Sequence, residues 1–263
     1  MATELLIATH AKNARFIPAV LQTVGQHWPG HPPATVLTDG GFEGDNVVSF
    51  PGLHFIALLA AGVEALGART ASPPSHIYLM LEDLCPLWPV DVATLRTVEA
   101  AALAADLPVV HFHFKPRRRW KRKDILCGPG EEEWVDGAKL FRWAPGFRGK
   151  NALQVSLWRR THLAELCARM VRDGVDDPWT FEIADNPLAD THRVSALRWP
   201  TVTHGFTQLG KVNHRAVRNS RVAPSPLKTL LREEFCGGTT RLAVERRFWA
   251  LQAGKLRGRF TNA

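Results

Sequence analysis

The stretch Ile77-Tyr78-Leu79-Met80-Leu81-Glu82-Asp83 consists of five apolar or aromatic residues followed by two carboxylates. An apolar run of this length is typical of a strand that is buried on both faces of a sheet. In open α/β sheets, ligands bind in the crevice outside the carboxyl ends of the strands. The stretch therefore predicts a central strand that carries Glu82 and Asp83 to such a crevice.

Segments on either side of this strand alternate between strand-like and helix-like patterns. Short apolar runs predict strands at residues 5–8, 35–38, 47–50 and 108–112, and apolar residues at helical spacing predict helices at 16–24, 53–66 and 93–105. This alternation predicts an α/β fold with a mostly parallel sheet and helices on both faces. The polar residues at the predicted strand ends, and thus the first candidates for a ligand site, are Thr9, His10, Asp39, Glu82 and Asp83.

The second half of the chain is less regular. Charge runs, glycines and prolines between residues 115 and 150 predict irregular strands and a mobile loop. The later patterns predict a strand and a helix at 152–171, a turn entering a short helix at 176–183, one or two strands at 193–206, and two basic helices at the end. We therefore expect one domain over residues 1–215 and a basic helical extension over residues 216–263.

Composition narrows the class of protein. The chain has 263 residues, of which 45% are hydrophobic, which is enough for a sizeable core and excludes a wholly disordered chain. No apolar run approaches the ~20 residues that span a bilayer. The start, Met1-Ala2-Thr3-Glu4, has no positive charge ahead of its apolar segment, which argues against a secretory signal. These features predict a cytoplasmic protein.

The cysteines and histidines show no metal-binding spacing. The chain has four cysteines, none of them in a CxxC pair, at Cys85, Cys127, Cys167 and Cys236, and buried thiols are the expected state. His111 and His113 share a strand face without a third ligand nearby, which favours ordinary strand histidines. The chain also lacks GxxxxGK[ST], a GxGxxG opening the first helix, and GxSxG, which argues against P-loop, dinucleotide-binding and α/β-hydrolase proteins.

Positive charge is concentrated in two places. The formal net charge is +8, and residues 205–263 alone contain 12 Lys or Arg against three Asp or Glu. A second basic run, KPRRRWKRK, occupies residues 115–123. Such segments bind nucleic acid, phosphorylated ligands or anionic lipid headgroups, and composition alone leaves all three open. No helix-turn-helix, zinc-finger or RNP-like signature accompanies them, so nucleic acid is the less favoured partner.

Glu82 and Asp83 suit a divalent cation. Carboxylate oxygens are the ligands that Mg²⁺ or Mn²⁺ prefers, and these ions commonly share coordination with substrate phosphates. Strand alternation places the two side chains on opposite faces unless the chain turns there, and we favour Asp83 as the ligand. The alternative is a solvated strand end or a helix cap.

Glu182 is a second candidate, because it ends the segment Pro178-Trp179-Thr180-Phe181-Glu182. A carboxylate flanked by aromatic residues can act as a general base whose pKa is tuned by partial desolvation. Aromatic faces also stack on the apolar side of sugar rings. The alternative is an N-capped helix with its aromatic residues in the core.

Several segments, read in order, resemble one family. They are Leu6-Ile7-Ala8-Thr9-His10 with Lys12, Leu37-Thr38-Asp39, YLMLEDL at 78–84, QVSLWRR at 154–160, PWTFE at 178–182, His204-Gly205 and Gly210-Lys211. Together they resemble bacterial glycosyltransferase-like proteins of the GT-A fold, which carry an acidic pair after a hydrophobic strand, then Q-x-x-x-W-(R/K), P-W-x-F-E and a late G-K. The resemblance covers residues 4 to 215.

The resemblance implies a nucleotide-sugar donor held by a donor half, about residues 1–114, and an acceptor contacted by a second half, about residues 115–215. The implied donor-binding residues are Thr9, His10, Lys12, Asp39, Glu82 and Lys211, and the implied acceptor-binding residues are Trp158 and Trp179. The resemblance further implies Mg²⁺ or Mn²⁺ on Asp83 and Glu82 with His204, and catalytic roles for Asp83 and for Glu182 as base.

The sequence departs from the family pattern at three points. The acidic motif is Glu-Asp and not D-x-D, which leaves metal dependence open, and Leu84 stands where the family has an aromatic residue. The basic run at 115–123 and the basic tail are not part of the pattern. We expect an enzyme, a glycosyltransferase that acts on a saccharide or lipid-linked acceptor in bacterial surface polysaccharide or glycolipid synthesis. The basic C-terminal helices predict peripheral contact with the inner face of the membrane. The alternative is a non-catalytic protein of the same fold that binds nucleic acid or an anionic surface.

Overall fold

The structure is a computed structural model of the chain, and it describes residues 3–69, 71–112, 132–143, 151–184, 186, 191–201, 207–208 and 211–212. Several predictions fall outside these residues: the basic run at 115–123, the extension at 216–263, His113, His204, Cys127 and Cys236.

Strands and helices alternate through the first 112 residues. They are β1 (Thr3–Thr9), α1 (Ile17–His27), β2 (Ala34–Thr38), β3 (Val47–Ser49), α2 (Phe55–Ala68), β4 (His76–Leu81), α3 (Val92–Ala104) and β5 (Val109–Phe112). Short 3₁₀ turns follow β1 at Ala11–Phe16 and β4 at Glu82–Leu84. Every strand and helix predicted in this part of the chain is confirmed.

The later elements are shorter. They are β6 (Glu132–Val135), β7 (Ala138–Arg142), β8 (Ser156–Arg159), α4 (Arg160–Arg172), α5 (Pro178–Ile183), β9 (Arg193–Ser195), β10 (Thr207–Gln208) and β11 (Lys211–Val212). The predicted strand and helix at 152–171 and the short helix at 176–183 are confirmed. No helix in the described part of the chain is long and apolar enough to cross a bilayer.

Nine strands form one sheet in the order β3-β2-β1-β4-β8-β5-β9-β7-β6. The strands β3, β2, β1 and β4 are mutually parallel, whereas β8 is antiparallel to both β4 and β5, and β7 is antiparallel to both β9 and β6. The prediction of a mostly parallel sheet is therefore wrong, because the sheet is mixed. This mixed α/β architecture is consistent with the GT-A-like fold that the resemblance implies.

A tight turn explains the antiparallel direction of β6 and β7. The strands β6 and β7 are joined by Asp136-Gly137, whose φ angles are 43° and 82°. Two positive φ angles in a two-residue loop define a type I′ turn, which links antiparallel strands.

Helices cover both faces of the sheet, as predicted. On one face α1 and α3 pack on alternate residues of the central strands, such as Ile7 and Met80. On the other face α2, α4 and α5 pack on the intervening residues, such as Leu6 and Leu79. This alternation buries the central strands on both sides, so their polar ends mark the places where the sheet meets solvent.

The polar residues that follow β1, β2 and β4 lie along one side of the sheet. Because β2, β1 and β4 are parallel, the residues that follow Thr38, Thr9 and Leu81 leave the sheet on the same side. The antiparallel β8 begins there, since its first residue, Ser156, pairs with Leu79 near the end of β4. We call this side the carboxyl edge, and the opposite side the amino edge.

Candidate active site at the carboxyl edge of the sheet

The chain turns immediately after β4, and the turn determines where the two acids lie. Residues Glu82–Leu84 form a 3₁₀ turn, so the strict alternation of strand side chains ends at Leu81. Glu82 is 7% exposed, whereas Asp83 is half-buried. The more accessible acid is therefore the one that we favoured as the metal ligand.

A hydrogen bond from the turn after the neighbouring strand β1 holds the Glu82 side chain in place. Asn13, in the turn that follows β1, donates its Nδ2 hydrogen to Glu82 Oε1 over 2.7 Å. Burial raises the pKa of Glu82 to about 7, while the hydrogen bond from Asn13, the charge of Lys12 and a hydrogen bond from Thr9 act in the opposite direction. Near neutral pH, Glu82 is thus poised between its charged and neutral forms.

Asp83 shares the same electrostatic environment. Burial, and then the charge of Glu82, raises the pKa of Asp83 well above its usual range. Two adjacent carboxyl groups in a poorly solvated place disfavour each other's ionisation. A cation bound between them would relieve that repulsion, and so the environment favours positive charge at this point.

Asp39, at the end of β2, is joined to the turn that follows β1. Its Oδ1 accepts a hydrogen bond from the backbone N–H of Ala11 at 2.5 Å, and its Oδ2 lies 3.5 Å from His10 Nδ1. Gly41 has a φ of +74°, and a Cβ at this glycine would lie 2.8 Å from the Ala11 carbonyl oxygen. The loop after β2 therefore lies close against the turn, an approach that requires glycine at this position.

Lys12 and His10 present polar groups to solvent beside these acids. Both residues are exposed, and His10 caps the turn by accepting a hydrogen bond from the Lys12 backbone N–H at Nδ1 over 3.3 Å. Thr9 is buried directly before them. The structure brings together six of the predicted site residues, from three strand ends: Thr9, His10, Lys12, Asp39, Glu82 and Asp83. Their ligand-binding roles stay predictions.

Glu182 lies near the carboxyl edge through its contact with the segment that precedes β8. It lies on α5, which is N-capped by Asp177 through hydrogen bonds from the backbone N–H groups of Trp179 and Thr180, each 2.9 Å long. Glu182 Oε1 accepts a hydrogen bond from the backbone N–H of Leu153, three residues before β8 begins, at 2.9 Å. Burial raises the pKa of Glu182, and this hydrogen bond opposes the shift.

Glu182 and the Glu82–Asp83 pair are separate carboxylate centres. Within the described ranges, no hydrogen bond or ion pair joins Glu182 to Glu82 or Asp83. Trp179, on the same short helix as Glu182, is 61% exposed and free to contact a ligand. The arrangement has one acidic centre at the end of β4 and a second, aromatic-flanked carboxylate beside the start of β8.

Trp158 lies elsewhere than the resemblance implies. It is fully buried in β8, donates its Nε1 hydrogen to Ser156 Oγ over 2.7 Å, and stacks on His162 with ring centroids 5.9 Å apart. An indole without an exposed face cannot stack on a sugar ring. We therefore correct the prediction for Trp158, which is a core residue. Of the two tryptophans, only Trp179 is exposed, and its acceptor-binding role stays a prediction.

The late basic residue is only partly described. Lys211 begins β11, which pairs with β10 through the Gln208–Lys211 register in a separate two-stranded sheet. Its phosphate-binding role stays a prediction, as does that of His204 outside the described residues. Among the residues that the structure describes, no group of three or more His, Cys, Asp or Glu could hold a metal ion.

Asn13 is the site residue that the sequence analysis missed. It is a single polar residue in a turn and belongs to no motif, although its place four residues after the end of β1 is a usable signal. Residues that follow adjacent parallel strands meet at one edge, and β4 lies beside β1. The pairing of β1 with β4 is what brings Asn13 to Glu82.

Comparisons with known proteins identify no family. No protein-family model matches the chain, and no curated protein matches it. Among solved structures, the chain is similar to the crystal structure of S. aureus TarS 1–349, with a TM-score of 0.40 and 10% sequence identity, over 90% of this chain and 73% of that chain. A similarity at this TM-score carries no argument about function.

Proposed function

We propose that this protein is a nucleotide-sugar-dependent glycosyltransferase that acts on a saccharide or lipid-linked acceptor in bacterial surface polysaccharide or glycolipid synthesis. One observation carries the proposal: the Glu82–Asp83 pair lies at the carboxyl edge beside the β1 turn, with Lys12 exposed next to it. The family resemblance of the motifs points to the same chemistry.

The donor half would hold the nucleotide and its diphosphate. Thr9, His10 and Asp39 lie at the ends of β1 and β2, where the resemblance implies nucleoside contacts. The Lys12 ammonium would neutralise part of the charge that develops on the leaving diphosphate. The Asp39–Ala11 hydrogen bond helps to fix the backbone of the turn that carries Lys12, and the exposed lysine side chain would reach a diphosphate bound beside that turn.

The acid pair fits a divalent cation. Mg²⁺ or Mn²⁺ needs only one or two carboxylates when water and substrate phosphates complete its coordination. Burial raises the pKa of both Glu82 and Asp83, and a cation beside them would favour their ionised forms. Asp83 would be the ligand, with Glu82 held beside it by Asn13. When bound, the ion would neutralise the departing diphosphate.

Glu182 would accept the proton of the acceptor hydroxyl. Its carboxylate is oriented by the Leu153 backbone N–H, and burial raises its pKa toward the range in which a carboxylate is an effective base. Trp179 beside it would stack on the acceptor ring. Direct attack by the deprotonated hydroxyl on the anomeric carbon makes inversion the simplest outcome.

Donor binding is the test of the proposal. Thermal unfolding of the protein would be followed with UDP-, GDP-, CMP- and dTDP-sugars, each with and without Mn²⁺. A ligand present at about 100 times its Kd stabilises the folded state by ~2.7 kcal/mol, which gives a readily measured rise in melting temperature. The proposal predicts such a rise for one nucleotide class and a larger rise with Mn²⁺. No rise with any donor would contradict it.

A further inference from the structure

A cavity of about 290 Å³ opens at the amino edge of the sheet, remote from the candidate active site. It lies between the first residue of β1, the loop after α1 and one face of α3, and its lining includes Thr3, Trp28, Pro33, Arg96 and Glu99. Thr3 and Thr9 are the first and last residues of the seven-residue strand β1, which spans ~20 Å at the usual rise of a strand. The proposed donor and acceptor therefore do not reach this cavity.

The inner wall of the cavity is aromatic and apolar. Trp28 is 3% exposed and packs edge-on against Tyr78 and Trp199, with ring centroids 5.0 and 5.4 Å away. Val92, Leu95 and two prolines complete the apolar lining. Two other rings hold Trp28 rigidly as the closed floor of the cavity, and the accessible apolar surface comes mainly from Pro32, Pro33 and Val92.

The charged residues of the cavity do not pair with each other. Arg96 and Glu99 are three residues apart on α3, a spacing that commonly gives an ion pair. Glu99 instead accepts hydrogen bonds from Thr3 Oγ1 at 2.6 Å and from the hydroxyl of the fully buried Tyr78 at 3.2 Å. Among the described residues, Arg96 has no hydrogen-bond or ion-pair partner.

The Arg96 guanidinium is nevertheless located at the cavity. Gly30 has a φ of +68°, and a Cβ built there would lie 3.6 Å from an Arg96 terminal nitrogen. The exposed guanidinium therefore lies over the glycine at the rim, where an anion that enters from solvent can reach it. The Glu99 carboxylate lies toward the interior of the cavity, near Tyr78. Its negative charge repels an anion from the inner end of the cavity, so the rim beside Arg96 is the favoured position for an anion.

We propose that this cavity binds a small organic anion with a flat apolar body. The anionic group pairs with the Arg96 guanidinium, which presents parallel donors that match a carboxylate. The apolar body packs against the prolines and Val92, above the Trp28 floor. The volume lies near the lower limit of the ~300–1,000 Å³ of ligand sites, so the ligand is smaller than a nucleotide sugar.

The experiment uses benzoate as the probe, with benzamide as its neutral counterpart and acetate as an anion without a ring. Binding to the full chain is followed by NMR through the Trp28 indole and Gly30 amide signals. We expect saturable shifts of both signals with benzoate, and affinities at least about tenfold weaker for benzamide and acetate, because each lacks one of the two contacts.

Two variants locate the binding. Arg96→Gln is expected to weaken benzoate binding at least about tenfold. Arg172→Gln, a change at another exposed helical arginine, is expected to leave the benzoate affinity unchanged. Arg96 makes no contact that the fold depends on, so both variants are expected to unfold at the wild-type temperature. The proposal is overturned by absent saturation at concentrations on the order of 10 mM, by equal binding of benzamide, or by unchanged binding in Arg96→Gln.

Discussion

Asn13 donates a hydrogen bond to Glu82 over 2.7 Å and so connects the turn after β1 to the end of β4. Asn13→Ala leaves the largely buried Glu82 carboxylate without this donor. We expect the free energy of unfolding above pH 7 to fall by about 1–3 kcal/mol, since a hydrogen bond to a charged group is lost. Urea unfolding measures the change.

Two further variants test the origin of that loss. Asn13→Asp adds a third negative charge beside the acid pair, and we expect it to destabilise the fold more than Asn13→Ala does. Asn46→Ala, at an exposed asparagine, is the matched control and is expected to behave as wild type. Equal stability of the Asn13→Ala and Asn46→Ala proteins would show that the hydrogen bond contributes nothing.

Glu182→Gln separates the proposed base from donor binding. The amide keeps the size of the side chain and an oxygen that accepts from the Leu153 N–H, but it cannot accept the acceptor's proton. We expect turnover to fall by ~10²–10⁴-fold while the donor Kd stays within about twofold of wild type. Steady-state kinetics and calorimetry measure the two quantities, and an equal loss in both would contradict the assigned role.

The pH dependence of turnover follows from the same residue. Burial raises the pKa of Glu182 above its ordinary value of 4.5, and a base acts only when deprotonated. Turnover is therefore expected to fall as pH decreases through that raised pKa, at a higher pH than for an unperturbed glutamate. A pH–rate profile checks this. In Glu182→Gln the acidic limb that belongs to this group should be absent.

His162 makes stability depend on pH. It is buried, its Nε2 lies 3.1 Å from His192 Nε2, and burial, with the charge of Arg159, lowers its pKa below 6.5. Below pH 6.5 the unfolded chain takes up the proton more readily than the folded one, so stability falls with decreasing pH, by at most about 1.4 kcal/mol per pH unit for this group.

The melting temperature, measured from about pH 7.5 to about pH 5, reports this dependence of stability on pH. His162→Gln is expected to reduce the slope below pH 6.5, whereas His54→Gln, at an exposed histidine, leaves it unchanged. The same slope in both variants would show that the buried histidine is not its source.

The first half of the fold was predictable because local patterns determine it. The apolar runs that became β1 and β4 are buried on both faces, and the polar residues after them lie at one edge because parallel strands share direction. Strand direction in the second half depends on long-range pairing, which no local sequence pattern specifies. The β6–β7 hairpin had one local signal, the turn dipeptide Asp136-Gly137, but it lies in a segment rich in charged residues, glycines and prolines.

The positions of the candidate site residues were predictable where a residue follows a strand, and less so where tertiary packing determines its surroundings. Trp158 stands beside Arg159 in the sequence, as a surface aromatic residue often does, yet β8 is inserted between β4 and β5 and its indole is therefore buried. Asn13 has no sequence pattern, and its role arises only from the pairing of β1 with β4.

The central claim is that Asp83 holds a cation that binds the donor diphosphate. The most direct measurement is calorimetric titration of the nucleotide sugar selected by the donor screen, with and without Mn²⁺, into wild type and Asp83→Asn. We predict that Mn²⁺ tightens wild-type binding and that Asp83→Asn loses at least about tenfold in affinity together with the Mn²⁺ effect. Equal donor affinity and an equal Mn²⁺ effect in the two proteins would contradict the account.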